Sequence, residues 1–342
     1  MKILITLDYE LFLNDIVGTI DNCLIKPMEC FNNVCANHGV KAVIFVDMAY
    51  VFRLKQLSEN NLFAKSEYEK VVSNIIALQR FGHDIELHLH PQWFFSDLIG
   101  EAWVLDWDHY KLSDIPVNEA SDYFEKSVCL LEEIIGSKVI AFRAGGYSIQ
   151  DFVEFHNVMK NNKLVVDSSV LPFAKTSNKG KNHRYDYSKP SIKTLYRFSA
   201  DVAEEDRSGI LYELPISTCK SMGIWKYFQT KRMNMRRYRT KNWGDGGDFP
   251  QAKMRVLYQY LCKISAKMLT VASIDYQSFF NLEYVYRSYK EKGAEYFTII
   301  GHPKNISADS LAYLDSFLSK VENEDDIIVI RDVVSDCFIC EK

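Results

Sequence analysis

Short apolar segments alternate with longer helical patterns along most of this 342-residue chain. We predict strands at residues 2–7, 42–46, 84–88, 139–143, 164–167, 209–215 and 296–301, and a further strand-like segment at 327–330. Helical patterns lie between them, at residues 25–37, 66–80, 118–135, 149–161, 279–292 and 308–321. Because parallel strands need crossover connections, this alternation predicts a parallel sheet with helices outside it, either open or closed into a barrel.

Polar side chains mark one end of the predicted strands. The apolar segments are nearly continuous, as in the AVIFV segment at residues 42–46, which is expected of strands covered on both faces. Charged and imidazole groups fall at or just after the carboxyl ends of these segments: Asp8, Glu10, Asp47, His88, His90, Arg143, Asp167, Glu213 and His302. In β/α barrels the active site lies at the carboxyl ends of the strands. The regular placement of these polar groups therefore favours a barrel-like fold with one site at its mouth.

The composition narrows the class of protein. A chain with 47% hydrophobic and 25% charged residues and a net charge of -4 is typical of a soluble globular protein, and nucleic acid is not an expected partner. No apolar stretch approaches the ~20 residues of a transmembrane helix. The apolar run after Met1 and Lys2 is too short for the core of a signal peptide. We therefore expect a cytoplasmic protein with no transmembrane segment.

Two pairs of candidate metal ligands lie two residues apart. Side chains at positions i and i+2 of a strand point to the same side, so His88 and His90 share a face, as do Asp8 and Glu10. Imidazole and carboxylate ligands together predict a site for one divalent metal ion. Zinc is the expected metal, and cobalt, nickel or manganese would suit the same ligands.

These residues resemble the motifs of the NodB-type polysaccharide deacetylases, a group of carbohydrate esterases. The similarity runs from the first strand to about residue 305 and is closest to the cytoplasmic branch that serves surface-polysaccharide biosynthesis. TLDYE at residues 6–10 resembles the first motif, which implies that Asp8 is the general base and Glu10 a metal ligand. GHDI at residues 82–85, followed by His88, is similar to the second motif, whose first histidine binds the metal.

Two further motifs extend the resemblance. FRAGGY at residues 142–147 is similar to the third motif, which implies that Arg143 faces the base and that Tyr147 forms a wall of the substrate groove. IIGH at residues 299–302 resembles the last motif and implies that His302 is the catalytic acid. Asp167 and Glu213 match supporting positions more loosely. The resemblance implies an irregular (β/α)7-type barrel with its active site at the carboxyl ends of the strands.

The second motif departs from the family pattern. The family's metal histidines are four residues apart, but the position four after His88 is Gln92. His90 could be the third ligand, Gln92 could coordinate weakly, or the metal could have been lost. We also predict that Gln92, Trp93, Tyr147 and Asp167 lie at the substrate side of the site, where Trp93 and Tyr147 offer either plain packing or a stacking surface for a sugar ring.

The same residues satisfy the chemistry of amide hydrolysis. The reaction needs an activated water, an electrophile to polarise the carbonyl, and an acid to protonate the leaving amine. A metal on Glu10, His88 and His90, a base at Asp8 and an acid at His302 would meet these needs. The leading hypothesis is an N-deacetylase for an acetamido sugar in surface-polysaccharide biosynthesis, such as that of lipopolysaccharide. The alternatives are a metal-independent hydrolase of a non-sugar C–N bond and a non-catalytic carbohydrate-binding relative.

One segment interrupts the regular alternation. Residues 218–250 are rich in basic and aromatic side chains and end in a glycine-rich stretch. We interpret the chain as one deacetylase-like domain over residues 1–342 with this insertion. The insertion could be a plain surface helix and loop, or a lid or docking patch for an anionic lipid or for the diphosphate of a lipid-linked glycan.

Overall fold

A curled, mostly parallel sheet forms the centre of the molecule. The computed structural model describes residues 1–176, 185–188, 194–223, 241–247 and 267–339. The strands are β1 Lys2–Tyr9, β2 Val43–Asp47, β3 Asp84–Leu89, β4 Asp97–Ile99, β5 Ala102–Val104, β6 Ala141–Ala144, β7 Val166–Asp167, β8 Tyr196–Phe198, β9 Leu211–Glu213, β10 Thr218–Met222, β11 Lys267–Val271, β12 Tyr296–Gly301 and β13 Asp326–Ile327. The helices are α1 Lys26–His38, α2 Met48–Leu57, α3 Leu62–Phe81, α4 Gln92–Phe95, α5 Val117–Ile135, α6 Phe155–Asn161, α7 Leu282–Glu291, α8 Ala308–Val321 and α9 Ile330–Ile339.

The strand order places the first strand of the chain beside the last long one. The order is β12-β1-β2-β3-β6-β7-β9-β8, with β13 paired to the start of β1. Neighbours are parallel from β12 to β9, and β8 closes the edge in the antiparallel direction. The predicted parallel α/β architecture is confirmed, and all six residues of β3 and all five of β2 are buried, as expected of strands covered on both faces.

Irregular backbone continues the curl where regular strands stop. After β9 the chain reaches Ser217, whose N–H donates to the carbonyl of Thr298 in β12 at 3.0 Å. The N–H of Ala272, just after β11, donates to Ser217 O at 2.9 Å, and the N–H of Ile300 donates to Ala272 O at 2.9 Å. The sheet is therefore a half-barrel whose open side is spanned by non-strand segments, which confirms the predicted irregular barrel.

Side-chain alternation in β1 separates the inside of the half-barrel from the helix layer. Ile3, Ile5 and Leu7 belong to the large apolar cluster that includes the helices, whereas Leu4 belongs to a second cluster with Val43 of β2. Thr6 and Asp8 share the face of Leu4, because side chains two apart point the same way. This alternation directs Asp8 into the mouth.

The amino-terminal end of the half-barrel is covered by α9. Ile330 and Val333 of this helix pack in the same apolar cluster as Leu4. Arg331 Nε donates to Asp84 Oδ1 at 2.7 Å, and its terminal nitrogen donates to the carbonyl of Lys138 at 2.6 Å. The end of the barrel opposite the site is thus closed by packing and charge pairing.

Several predicted boundaries were wrong. The predicted helix at 149–161 is helical only over Phe155–Asn161, and the predicted strand at 327–330 ends at Ile327, with a helix beginning at Ile330. The predicted insertion begins with β10, which pairs with β11 in an antiparallel ribbon. Residues 224–240 and 248–250 of that insertion lie outside the described residues. Within the described part of the chain, no helix has the length and apolar character needed to cross a membrane.

Candidate active site

The carboxyl ends of three strands bring five of the predicted site residues together. Asp8 and Glu10 come from the end of β1, and His88 and His90 from the end of β3. Arg143 in β6 is the register partner of His88, so the parallel pairing sets these two side by side. All five side chains are buried, with at most 6% of any residue exposed to solvent.

Glu10, His88 and His90 form a compact set of potential ligands. Glu10 Oε2 lies 3.1 Å from His88 Nε2 and 2.5 Å from His90 Nε2. One ligand atom from each residue lies within 4.8 Å of the other two. His88 Nδ1 donates to the carbonyl of Arg143 at 2.7 Å, which leaves its Nε2 free to ligate in the neutral tautomer. Two imidazoles and a carboxylate converging on one point fit a divalent transition metal.

His90 is held in this set from two sides. Its backbone N–H donates to Asp47 Oδ1 at 3.1 Å. A Cβ on Gly145 would lie 2.5 Å from Leu89 O and 2.6 Å from His90 Nδ1, so glycine alone lets β6 approach this closely. The close approach of Gly145 explains a glycine that the sequence motif contained without revealing its role.

Gln92 and Trp93 lie in α4, directly after the two candidate ligand histidines, and both are fully buried. The Gln92 amide has no hydrogen-bond partner among the described residues, and Trp93 packs against Tyr50 and Trp103 at centroid distances of 4.8 and 5.0 Å. Of the two candidates for the third ligand, the geometry favours His90. Trp93 offers no open face for a sugar, so the structure lends no support to its predicted stacking role.

Arg143 is fully buried and bound on every side. It donates to Asp8 Oδ1 at 2.6 Å and Thr6 Oγ1 at 2.9 Å, and its other nitrogens donate to the carbonyl and hydroxyl of Ser168 at 3.0 and 2.9 Å. Its guanidinium also lies 4.2 Å from the ring centroid of Phe45. Burial would raise the pKa of Asp8, but Arg143, with His88 and His302, outweighs it and holds the pKa below the usual value. Asp8 is therefore kept ionised, as a base requires.

His302 comes directly after β12, the strand beside β1, and its ring approaches Asp8. Its Nε2 lies 3.7 Å from Asp8 Oδ2 and 3.8 Å from Glu10 Oε1. Its Nδ1 is 2.9 Å from Asp275 Oδ2, and its backbone N–H donates to Asp275 Oδ1 at 2.8 Å. Burial would lower the pKa of His302, but the three carboxylates outweigh it and raise the pKa to about 9. A histidine charged at neutral pH can act as a proton donor.

Sequence reasoning missed Asp275 and Lys304. Asp275 follows β11, a strand that the apolar pattern did not predict. Lys304 follows His302 by two residues and is 7% exposed, and its Nζ donates to Glu10 Oε1 at 2.8 Å and to the carbonyl of Leu11 at 2.7 Å. Burial would raise the pKa of Glu10, but Lys304, His90 and His88 hold it well below the usual value. The available signal for Lys304 was its place in a loop directly after a predicted site residue.

Tyr147 and Asp167 occupy different environments. Tyr147 is half-buried at the end of the FRAGGY segment with a φ of 63°, and its carbonyl accepts a hydrogen bond from Tyr187 at 2.7 Å. Asp167 is fully buried and accepts from the hydroxyl of Ser169 at 2.7 Å. Burial raises the pKa of Asp167 and that of its register partner Glu213. The buried Asp167 is placed to support the fold, whereas Tyr147 remains the better candidate for a substrate contact.

The comparisons with known proteins identify the fold of this chain. No protein-family model matches the sequence, and no curated protein matches it. Among solved structures, a protein assigned as a polysaccharide deacetylase from Mycobacterium smegmatis is similar over 99% of this chain and 91% of its own, with a TM-score of 0.52 and 11% identity. This chain has the polysaccharide deacetylase fold.

Two more distant structures match nearly the whole chain. A mutant of a peptidoglycan deacetylase from Bacillus subtilis is 10% identical and matches over 99% of this chain and 92% of its own, with a TM-score of 0.40. A mutant of a CE4 family pseudoenzyme with restored enzymatic activity is 10% identical and matches over 97% of this chain and 66% of its own, with a TM-score of 0.42.

Proposed function

We propose that this protein is a metal-dependent N-deacetylase that acts on an acetamido sugar. The arrangement of Asp8 and His302 carries the proposal. A base paired with a buried arginine faces an acid paired with a carboxylate across 3.7 Å, directly beside the Glu10, His88 and His90 set. The polysaccharide deacetylase fold of the chain supports this assignment.

Each residue has a distinct task in the proposed reaction. Bound at Glu10, His88 and His90, a divalent ion, expected to be zinc, would polarise the acetyl carbonyl and lower the pKa of water. Asp8 would accept the proton of the attacking water, and Arg143 would keep Asp8 ionised and fixed in place. His302 would donate its Nε2 proton to the departing sugar nitrogen, while Asp275 holds Nδ1 and so aims Nε2 towards the mouth.

The resemblance to the cytoplasmic branch of the family leads us to propose a more specific substrate. It would be an intermediate of surface-polysaccharide assembly, such as lipopolysaccharide, and could carry a lipid diphosphate. The basic and aromatic residues within 218–250 have the chemistry to bind such an anionic group. Tyr147, half-buried at the mouth, is the proposed contact for the sugar ring.

The test is acetate release from N-acetylated sugars and oligosaccharides by purified protein loaded with zinc or cobalt. Asp8→Asn should reduce the rate by about 10²–10⁴-fold, the range for loss of a positioned base. Asp122→Asn is the matched control, because this carboxylate forms an exposed pair with Lys126 on α5. It should leave the rate unchanged.

Other outcomes would contradict the proposal. If the metal-free protein releases product from linear amides or ureides at the same rate as the loaded protein, the metal-independent alternative is correct. If the protein binds acetamido sugars and Asp8→Asn changes no activity, it is a carbohydrate-binding relative.

A further inference from the structure

Lys304 lies where a lysine is unusual, beside a proposed metal ligand in a nearly closed site. Its ammonium group sits 2.8 Å from Glu10 Oε1 and 2.7 Å from the carbonyl of Leu11, and 5.1 Å from the ring centroid of Phe12. With 7% exposure, the charge has little access to solvent. A buried lysine is retained only when its charge is paired, and Glu10 is that partner.

The backbone of Lys304 is fixed by the segment at 241–247. Asn242 Nδ2 and the N–H of Gly244 donate to the carbonyl of Lys304 at 2.8 and 3.2 Å. A Cβ on Gly244 would lie 2.3 Å from the same oxygen, so the two segments are in close contact. The position of the ammonium group is therefore set from both ends of the residue, by its own backbone and by Glu10.

The two oxygens of the Glu10 carboxylate have different kinds of partner. Oε1 faces Lys304, and Oε2 faces the Nε2 atoms of His88 and His90 at 3.1 and 2.5 Å. A carboxylate with both oxygens free can bind a metal through one or both of them. Here the ammonium group occupies one.

We propose that Lys304 makes Glu10 a one-oxygen metal ligand and at the same time weakens metal binding through its positive charge. The proposal builds on the metal site of the proposed function. With Oε1 held by Lys304, Oε2 alone is offered to the ion. Since like charges repel strongly at short range in a buried site, the nearby ammonium group lowers the affinity for a divalent cation. Lys304 is thus a positioning residue that sets both the geometry and the strength of the site.

Cobalt provides a direct readout, because the visible absorption of Co²⁺ becomes several-fold weaker when its coordination number rises above four. Lys304→Met should free Oε1, so the Co²⁺ bands should lose intensity. The affinity for Co²⁺, measured against a competing chelator, should rise by about tenfold or more. Lys304→Leu removes both the charge and the donor and should change both quantities in the same direction if the methionine variant does not fold.

Lys290→Met is the matched control. Lys290 Nζ lies 2.6 Å from Asp325, whose side chain is fully buried, so this variant also breaks a lysine–carboxylate pair. It should lower stability without changing the Co²⁺ spectrum. A purely structural Lys304 would behave like this control.

The proposal is overturned if Lys304→Met leaves the spectrum unchanged or binds Co²⁺ more weakly than wild type, or if wild-type protein takes up no Co²⁺. Wild-type protein that binds Co²⁺ but releases no acetate would contradict the proposed reaction alone, and the proposal on Lys304 would stand on its spectrum and affinity.

Discussion

Replacing Asp275 by asparagine should change the pH range in which the protein works. Asp275 binds His302 twice, through the ring Nδ1 at 2.9 Å and through the backbone N–H at 2.8 Å. Asparagine keeps the size and one acceptor oxygen of the side chain but removes its negative charge. The variant therefore tests the charge of Asp275 with little change in packing.

The magnitude follows from the carboxylates around His302. Its pKa of about 9 lies above the ordinary 6.5, which corresponds to ~3 kcal/mol in favour of the charged ring. Asp275 is the nearest carboxylate, at 2.9 Å, while Asp8 and Glu10 lie at 3.7 and 3.8 Å. Asp275 therefore makes the largest contribution to the raised pKa of His302. Removing its charge should lower that pKa by about one to two pH units.

The sign is fixed by the proposed role of His302 as a proton donor. Activity requires the charged ring, so it is lost as the pH rises through the pKa of His302. In Asp275→Asn this loss should begin about one to two pH units lower than in wild type. Near pH 6 the two proteins should differ little, and near pH 9, where half of the wild type is still charged, the variant should be about 5–50-fold slower.

The assay is kcat/KM for acetate release between pH 5.5 and 9.5, with Asp122→Asn as the control for a lost surface carboxylate. If kcat/KM falls at the same alkaline pH in wild type and in Asp275→Asn, deprotonation of His302 is not what ends activity. The reasoning about the acid would then be refuted, even if the variant were slower at every pH.

Three further changes test other parts of the structure. Arg143→Met leaves Asp8 buried without its cation and should lower the free energy of unfolding by about 3–5 kcal/mol in urea titrations, with part of the loss recovered by adding Asp8→Asn. His83 has a pKa lowered to about 4 by burial, so the folded state binds its proton less readily than the unfolded state and stability falls as the pH drops below 6.5. His83→Gln should remove about 3 kcal/mol of that fall by pH 4, and an unchanged slope would contradict the assignment. Gly145→Ala would push a Cβ against His90 and should weaken metal binding about 10–100-fold in a chelator competition, while wild-type affinity would refute the close contact.

The local sequence pattern was enough to predict the parallel sheet and the strand ends at which the candidate site residues lie. The strand over Tyr296–Gly301 and the helix over Ala308–Val321 have the predicted bounds because each is a long, uniform segment. The ribbon of β10 and β11 was missed because its two strands are far apart in the sequence. Lys220 and Met222 of β10 are also exposed, so this strand carries little apolar signal. The helix predicted at 149–161 was too long because apolar residues such as Ile149 and Phe152 are buried in turns before the helix begins.

The candidate site also contains residues that the sequence could predict and residues that it could not. Histidines and acids at strand ends could be recognised from neighbouring residues, and the structure places Glu10, His88 and His90 together. Asp275 and Lys304 act through partners 27 and 294 residues away, and a sequence without a predicted register contains no signal for such pairs. The burial of Trp93 was equally inaccessible, since it depends on Tyr50 and Trp103 closing around the ring.

The position of β1 between β12 and β2 affects when the fold can be completed during synthesis of the chain. Lys2 pairs with Tyr296, and Glu10 meets Lys304, so groups from the two ends of the fold must find each other before the site exists. Contacts of such large sequence separation form late and slowly, because the chain between them must first be closed into a loop. During synthesis on the ribosome, Asp8 and Glu10 therefore leave the exit tunnel long before His302 and Lys304. A partly synthesised chain would hold β1 without its β12 neighbour, and the candidate site would be completed in the final step of folding.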